Sequence, residues 1–283
     1  EVEPCPIGTA ATQTQRQHDV LLGIERRQQI ERLEHEPDAL AAQQGEFAET
    51  AFLLWAGRLP TAIELAALKS QFEAGWTLPK DVVVRLRSLP PTTPMITALR
   101  EGVAALALAN RGKPMASAGM PALLAHSQDA ATAALLVGAL PAIAAQFYHV
   151  ALGRPLYAPR VSGRLTERFL QAIYGEEPSS EETQALDTAL TLYAENGLVA
   201  STFAARVVAA TEADLFSAVI AALTAVEGGL HGAEPFAIFR FLERVGVPTD
   251  APTVVDGYLR VEAQLPGFEP RPSGAADARA LRF

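Results

Sequence analysis

Cysteine is almost absent: Cys5 is the single one in 283 residues. One thiol builds neither an internal disulfide framework nor a cysteine-rich metal centre, so no metal is expected. A reducing, cytoplasmic compartment is the simplest reading of that count. Basic residues are also short, with Lys plus Arg at 23 against Asp plus Glu at 32, a net charge of −9 and a pI near 5.1. A nucleic-acid-binding surface therefore lacks its electrostatic footprint. The low charged fraction, 19%, beside 49% hydrophobic residues excludes wholesale disorder. No convincing run of eighteen apolar residues is found. The nearest candidate, 130–150, is interrupted by Pro141, Gln146 and His149 and reads as a buried helix, so no membrane span is expected. No basic patch followed by an apolar run marks a secretory signal. The chain begins at Glu1 rather than Met, which reads as a processed, trimmed or partly numbered product. Walker loops, dinucleotide fingerprints, HExxH and GxSxG settings are missing too.

What is there is helical rhythm. Apolar residues step at helical spacing through 47–55, 63–72, 82–89, 95–108, 130–150, 165–174, 184–192 and 236–245. A further segment, 202–226, reads as one helix, with Leu215, Val219, Leu223 and Val226 on a buried face. Pro and Gly mark the joins, at Leu59-Pro60, Pro90-Pro91, Gly153 to Pro155, Gly175 to Pro178, Gly228-Gly229 and Gly246 to Pro248. Alanine, the commonest residue, favours helix and close helix contacts. Alternating patterns are scarce, with 20–24 the one short candidate strand. The expectation is an all-α protein of about ten helices. Thr61 with Glu64, and Ser180 followed by Glu181 and Glu182, read as helix starts. The stretch 111–120 reads as an exposed loop.

Chemistry concentrates in 189–234. A helix ends near Tyr193, a turn crosses Glu195-Asn196-Gly197, and Ser201 or Thr202 can cap the helix that follows. That helix stops at Gly228-Gly229, and His231 precedes another whose first turn holds Pro235. A histidine at a helix N-terminus is favoured as the neutral imidazole. Such an imidazole can donate a hydrogen bond to a carbonyl becoming an enolate. On spacing alone the alternative stands beside it, that His231 caps the helix or fills the join. The other histidines have simpler readings: His149 packs in an apolar helix, His35 lies on a solvated face between Glu34 and Glu36, His126 in a join, and His18 in a polar stretch. The acidic pairs Glu176-Glu177 and Glu181-Glu182 flank a helix start and read as structural charge.

Two runs in this segment resemble the citrate synthase family: Ala200-Ser201-Thr202-Phe203-Ala204-Ala205-Arg206-Val207 and Gly229-Leu230-His231-Gly232. Phe52-Leu53-Leu54-Trp55-Ala56-Gly57-Arg58-Leu59-Pro60-Thr61 and Pro94-Met95 before Ala98-Leu99-Arg100 are similar to the family upstream. So are Ala142 to Ala145 after Pro141, and Leu265-Pro266-Gly267-Phe268 downstream. The motifs lie in register over most of the chain, from about Phe47 to Arg279. The resemblance implies a large helical domain with a smaller helical lobe. Its parts would be an N-terminal segment over 1–46, the first part of the large domain over 47–176, small-lobe and active-site helices over 177–265, and over 266–283 the start of the family's substrate and CoA loop.

The resemblance also implies condensation of acetyl-CoA, or another short acyl-CoA, with oxaloacetate or a related oxoacid, and no permanently bound cofactor. In the family a carboxylate takes a proton from the acyl carbon and a neutral histidine steadies the enol. His231 matches that histidine. By the same carry-over Asn196, Ser201 and Arg279 would meet the oxoacid, and Gly232 and Arg271 the CoA. Two positions depart: Asn196 stands where the family's HADHE run has its oxaloacetate-binding histidine, and Pro270 where its GFGH run has another. An amide donates a hydrogen bond but carries no charge, and proline donates nothing. Glu269 adds negative charge where an anion should bind. The family's motif for its catalytic aspartate has no counterpart within these 283 residues. A homodimer paired through helices is implied, or a heteromer with an intact relative. A fold kept for a partner-subunit or regulatory role, without its own turnover, is the alternative.

Overall fold

A computed structural model describes residues 45–112, 120–121, 128–155, 163–195, 198–228, 234–261 and 265. Every regular element among them is helical: α1 (Phe47–Ala56), α2 (Ala62–Trp76), α3 (Lys80–Arg87), α4 (Met95–Asn110), α5 (Gln128–Ala151), α6 (Leu165–Tyr174), α7 (Ser180–Tyr193), α8 (Ala200–Ala210), α9 (Leu215–Val226), α10 (Glu234–Val245), a 3-10 turn (Pro248–Asp250) and α11 (Ala251–Leu259). The all-α expectation therefore holds over the described residues. The candidate strand at 20–24 and most of the loop at 111–120 lie outside them.

Local chemistry sets the ends of these helices. Thr61 caps α2, its hydroxyl accepting from the Glu64 N–H, while the Glu64 carboxylate accepts from the Thr61 N–H at 2.9 Å. Ser179 does the same for α7 with Glu182, one residue ahead of the start read from sequence. The carboxyl of Glu182 is lowered from its ordinary value, chiefly by the Ser179 N–H and then its hydroxyl. Gly57 and Gly175 close α1 and α6 with φ of 73° and 81°, a left-handed turn that costs a residue without Cβ little.

The segment 202–226 is two helices, not one. The chain breaks over 211–214, where Glu212 takes a φ of 66° and the Asp214 carboxylate accepts from the Ser217 N–H at 2.7 Å to start α9. The apolar spacing runs on across this break, so it hides the four polar or small residues that make it. Nor does Ser201 or Thr202 cap α8. The extended N-cap residue is Val199, without a side-chain hydrogen bond, and Ser201 lies one residue into the helix.

The core is organised around α5, which contributes to all three buried clusters. Leu136, Ala139, Ile143 and Phe147 meet Val82 and Leu86 of α3, Ala98, Val103 and Leu106 of α4, and Phe216 of α9. Ala131 and Ala134 meet Phe52 of α1 and Leu68 and Phe72 of α2. Ala142 and Ala145 meet Trp76 of α2 and Ala172 of α6. The reading that no segment is apolar enough for a span needs correction: Asp129–Ala151 is long and apolar enough by length and composition. Its interruptions are mild, because Pro141 removes one interior hydrogen bond without ending the helix. More than half of that window is buried inside the bundle. His149 is a core histidine as expected, with Nε2 2.6 Å from the Ala172 carbonyl oxygen.

Helices α2 and α5 cross with their backbones touching. A Cβ added to Gly138 would lie 2.0 Å from the Phe72 carbonyl oxygen, and one on Gly75 would lie 2.4 Å from the Leu135 carbonyl oxygen. At Gly102 of α4 the nearest neighbour is instead the Ile143 side chain, at 2.5 Å. Backbone cannot move aside without shifting its whole helix, whereas Ile143, though branched at Cβ and fully buried, can give by a small repacking. Gly138→Ala is therefore expected to destabilise by about 3 kcal/mol or more, and Gly102→Ala by about 1–2 kcal/mol. Urea unfolding of both variants checks this, and equal losses would refute the backbone-contact argument.

Candidate active site

Of the residues singled out from the sequence, the described structure contains Ser201. His231, Gly232, Asn196, Arg271 and Arg279 lie outside the described residues. Their flanks are described. The run containing Asn196 leaves α7 after Tyr193 and enters α8 at Ala200. The run containing His231 leaves α9 after Val226 and enters α10 at Glu234. Between them α8 and α9 pack against each other and are joined by only four residues, so the chain turns back on itself. The first turn of α8, with Ser201, thus stands at the same end of the hairpin as the last turn of α9.

That end is tied to the core. Glu227 ends α9, and its carboxylate reaches α4, with Oε1 accepting from the Thr97 hydroxyl and Oε2 from Arg100, both at 2.5 Å. Phe216 and Ala218 of α9 are buried, whereas no residue of α8 is. Phe203 and Val207 of α8 are about half exposed, at 57% and 48%. The hairpin therefore has an inner leaf held by the core and an outer leaf held mainly by the inner one.

A cluster of charged side chains lies elsewhere, in a cleft between α1, α2, α6 and α7. There Asp187, buried, accepts from the Phe47 N–H at 3.0 Å and the Thr166 hydroxyl at 3.3 Å. Glu46 pairs with Lys69 and Arg164, and buried Arg168 with Glu73 at 3.2 Å. Ser201, the described one among the sequence-predicted site residues, does not line this cleft. Its charges face one another across four helices, and the Asp187 carboxylate sits at the start of α1, where the helix dipole favours it. This is a fastening of the fold, missed in the sequence because Phe47 and Asp187 are 140 positions apart. Among the described residues no group of three His, Cys, Asp or Glu is placed to hold a metal ion.

Comparison with known proteins supplies what local geometry does not. Residues 29–281 match the family model for the citrate synthase C-terminal domain. This chain belongs to the citrate synthase family. A 2-methylcitrate synthase of Mycobacterium tuberculosis is 31% identical over 233 residues, covering 82% of this chain and 57% of that protein. Citrate synthase 2 of Bacillus subtilis is 31% identical over 240 residues, covering 84% and 62%. The citrate synthase of Thermoplasma acidophilum, solved as a ternary complex with carboxymethyl coenzyme A and oxaloacetate, aligns with a TM-score of 0.73 at 30% identity, covering 87% of this chain and 62% of that one. The chain thus spans about three fifths of the length of the citrate synthases it matches.

Asp187 offers a test of the cleft. Burial raises its carboxyl above the ordinary aspartate value of 3.8 and Glu46 adds to this, while the Phe47 N–H, Arg164 and the Thr166 hydroxyl pull the other way. Asp187→Ala strands the Phe47 N–H and is expected to cost about 1–3 kcal/mol, whereas Asp187→Asn, which keeps an acceptor, should stay within about 1 kcal/mol of wild type at neutral pH. The folded carboxyl holds its proton to higher pH than the unfolded one. Wild type should therefore lose stability relative to Asp187→Asn as pH rises from 3.8 through the folded value, and the difference should then level off. Urea midpoints between about pH 4 and pH 7 check the sign.

Proposed function

We propose that this chain performs the citrate-type condensation, joining acetyl-CoA or a short acyl-CoA to oxaloacetate with release of CoA. The observation that carries the reading is the family match over 29–281, which includes the Gly229-Leu230-His231-Gly232 motif. In this mechanism a carboxylate base removes a proton from the carbon beside the thioester, and His231 donates a hydrogen bond to the developing enol oxygen. The enol carbon attacks the keto carbon of oxaloacetate, and hydrolysis of the thioester frees the thiol. Asn196, Ser201 and Arg279 would contact the oxoacid, and Gly232 and Arg271 the CoA. That the Thermoplasma enzyme was solved with oxaloacetate and a CoA analogue supports this pair of substrates. The small-lobe assignment of 177–265 and pairing of two copies through helices belong to the same proposal. The half-exposed Phe203 and Val207 on α8 suit such pairing.

A second reading has its own observation. Asn196 and Pro270 replace two histidines of the family's polar site, while the helix-packing motifs persist. Under that reading the chain keeps the fold as a partner subunit or regulatory binding module and turns nothing over by itself.

Thiol release from acetyl-CoA in the presence of oxaloacetate separates the two. Release that needs oxaloacetate and falls by about 10²–10³ in His231→Ala is the expected result for the condensing enzyme. No release above that variant from folded protein overturns the enzymatic reading and leaves the partner-subunit one.

A further inference from the structure

We propose that Thr97, Arg100 and Glu227 form a clamp that positions the segment carrying His231. Glu227 is the last residue to cap α9, and His231 follows it by four positions. A carboxylate at a helix C-terminus faces the negative end of the dipole and is unfavourable there. Here it is turned away from α9 onto the first turns of α4, where the dipole is positive and Thr97 and Arg100 lie three positions apart on one face. Each carboxylate oxygen takes one donor, the Thr97 hydroxyl on Oε1 and the Arg100 guanidinium on Oε2, both at 2.5 Å. Two donors on one carboxylate fix its orientation as well as its distance.

Global stability is a weak reason for this arrangement. Arg100 and Glu227 keep 28% and 34% of their side-chain exposure, and ion pairs so open to water add little to folding. What the clamp does is local. It joins the exit of α9 to α4, whose Ala98, Val103 and Leu106 lie in the largest buried cluster. The stretch leading to His231 thus starts from a point fixed to the core. Thr97, Arg100 and Glu227 are positioning residues, and their effect on turnover rests on His231 acting as the enol-stabilising histidine.

Amide hydrogen exchange on the full chain tests the clamp without requiring turnover. The variants are Glu227→Ala, Arg100→Ala and the two together, each first shown to melt like wild type. In both single variants, exchange across 227–235 is expected to rise about 5- to 10-fold, while 98–108 and 216–224 stay within about 2-fold. The double variant should exchange no faster than the quicker single one, because the two groups make one contact. Glu227→Gln, which retains an acceptor, should fall between wild type and Glu227→Ala. Unchanged exchange across 227–235 overturns the proposal, and so does an equal rise throughout α4 and α9. With acetyl-CoA and oxaloacetate, kcat should drop about 10-fold while KM for oxaloacetate stays within about 2-fold. A KM effect alone refutes positioning. Wild-type protein that is inert but shows clamp-dependent exchange removes the enzymatic reading and leaves the clamp standing.

Discussion

Helix α5 reaches α2 only because Gly75 and Gly138 bring no Cβ to the place where the two backbones meet. The remaining packing is arranged around that approach. With α2 drawn in, Phe72 and Leu68 fill the space beside Ala131 and Ala134, and Trp76 closes over Ala142 and Ala145. On the other side Ile143 and Phe147 interlock with α3, α4 and α9. The buried α5 residues that face α1, α2 and α6 are thus all alanines, whereas those that face α3, α4 and α9 are, Ala139 apart, large. Alanine abundance, which in composition looks like mere helix propensity, is the means by which one helix serves as the middle layer of the bundle.

How much of this was legible follows from how local each signal is. Capping at Thr61, the acid-led start of α7 and the helical spacing of α6 depend on residues within a turn of each other, and the structure agrees with them to within one residue. The break between α8 and α9 escaped because Val208 and Leu215 stand seven positions apart, two helical turns, so the apolar step runs on across it, while Asp214 reads as an ordinary surface acid until it caps Ser217. Helix α11, over Ala251–Leu259, was not among the segments read as helical, the last of which ended at the join from Gly246 to Pro248. The Asp187 fastening is a long-range event, and a carboxylate in a helical stretch carries no mark of the N–H it will meet.

The site divides in a similar way. His231 was singled out through its glycine neighbours, a local pattern that falls within the span of the family match. The hairpin that brings the flanks of its motif toward those of the Asn196 motif was not, because a single long helix would have carried them to opposite ends. Breaking that helix over 211–214 is what returns the end of α9 to the side on which α8 begins. The chemistry of the segment and the polar interruption of the helix before it are one design problem.

The central position of α5 also bears on the order in which a ribosome delivers this chain. As a free segment it is a long apolar helix, the kind that sticks to whatever is nearby. Yet α1, α2, α3 and α4 all precede it, and each contributes residues to the clusters it completes. When α5 leaves the exit tunnel its partners are already outside, so its most adhesive surface has somewhere to go at once. Among the described residues the partners that await later synthesis are α6, through Ala172, and α9, through Phe216. The most hazardous helix of the protein emerges after the surfaces that cover most of it.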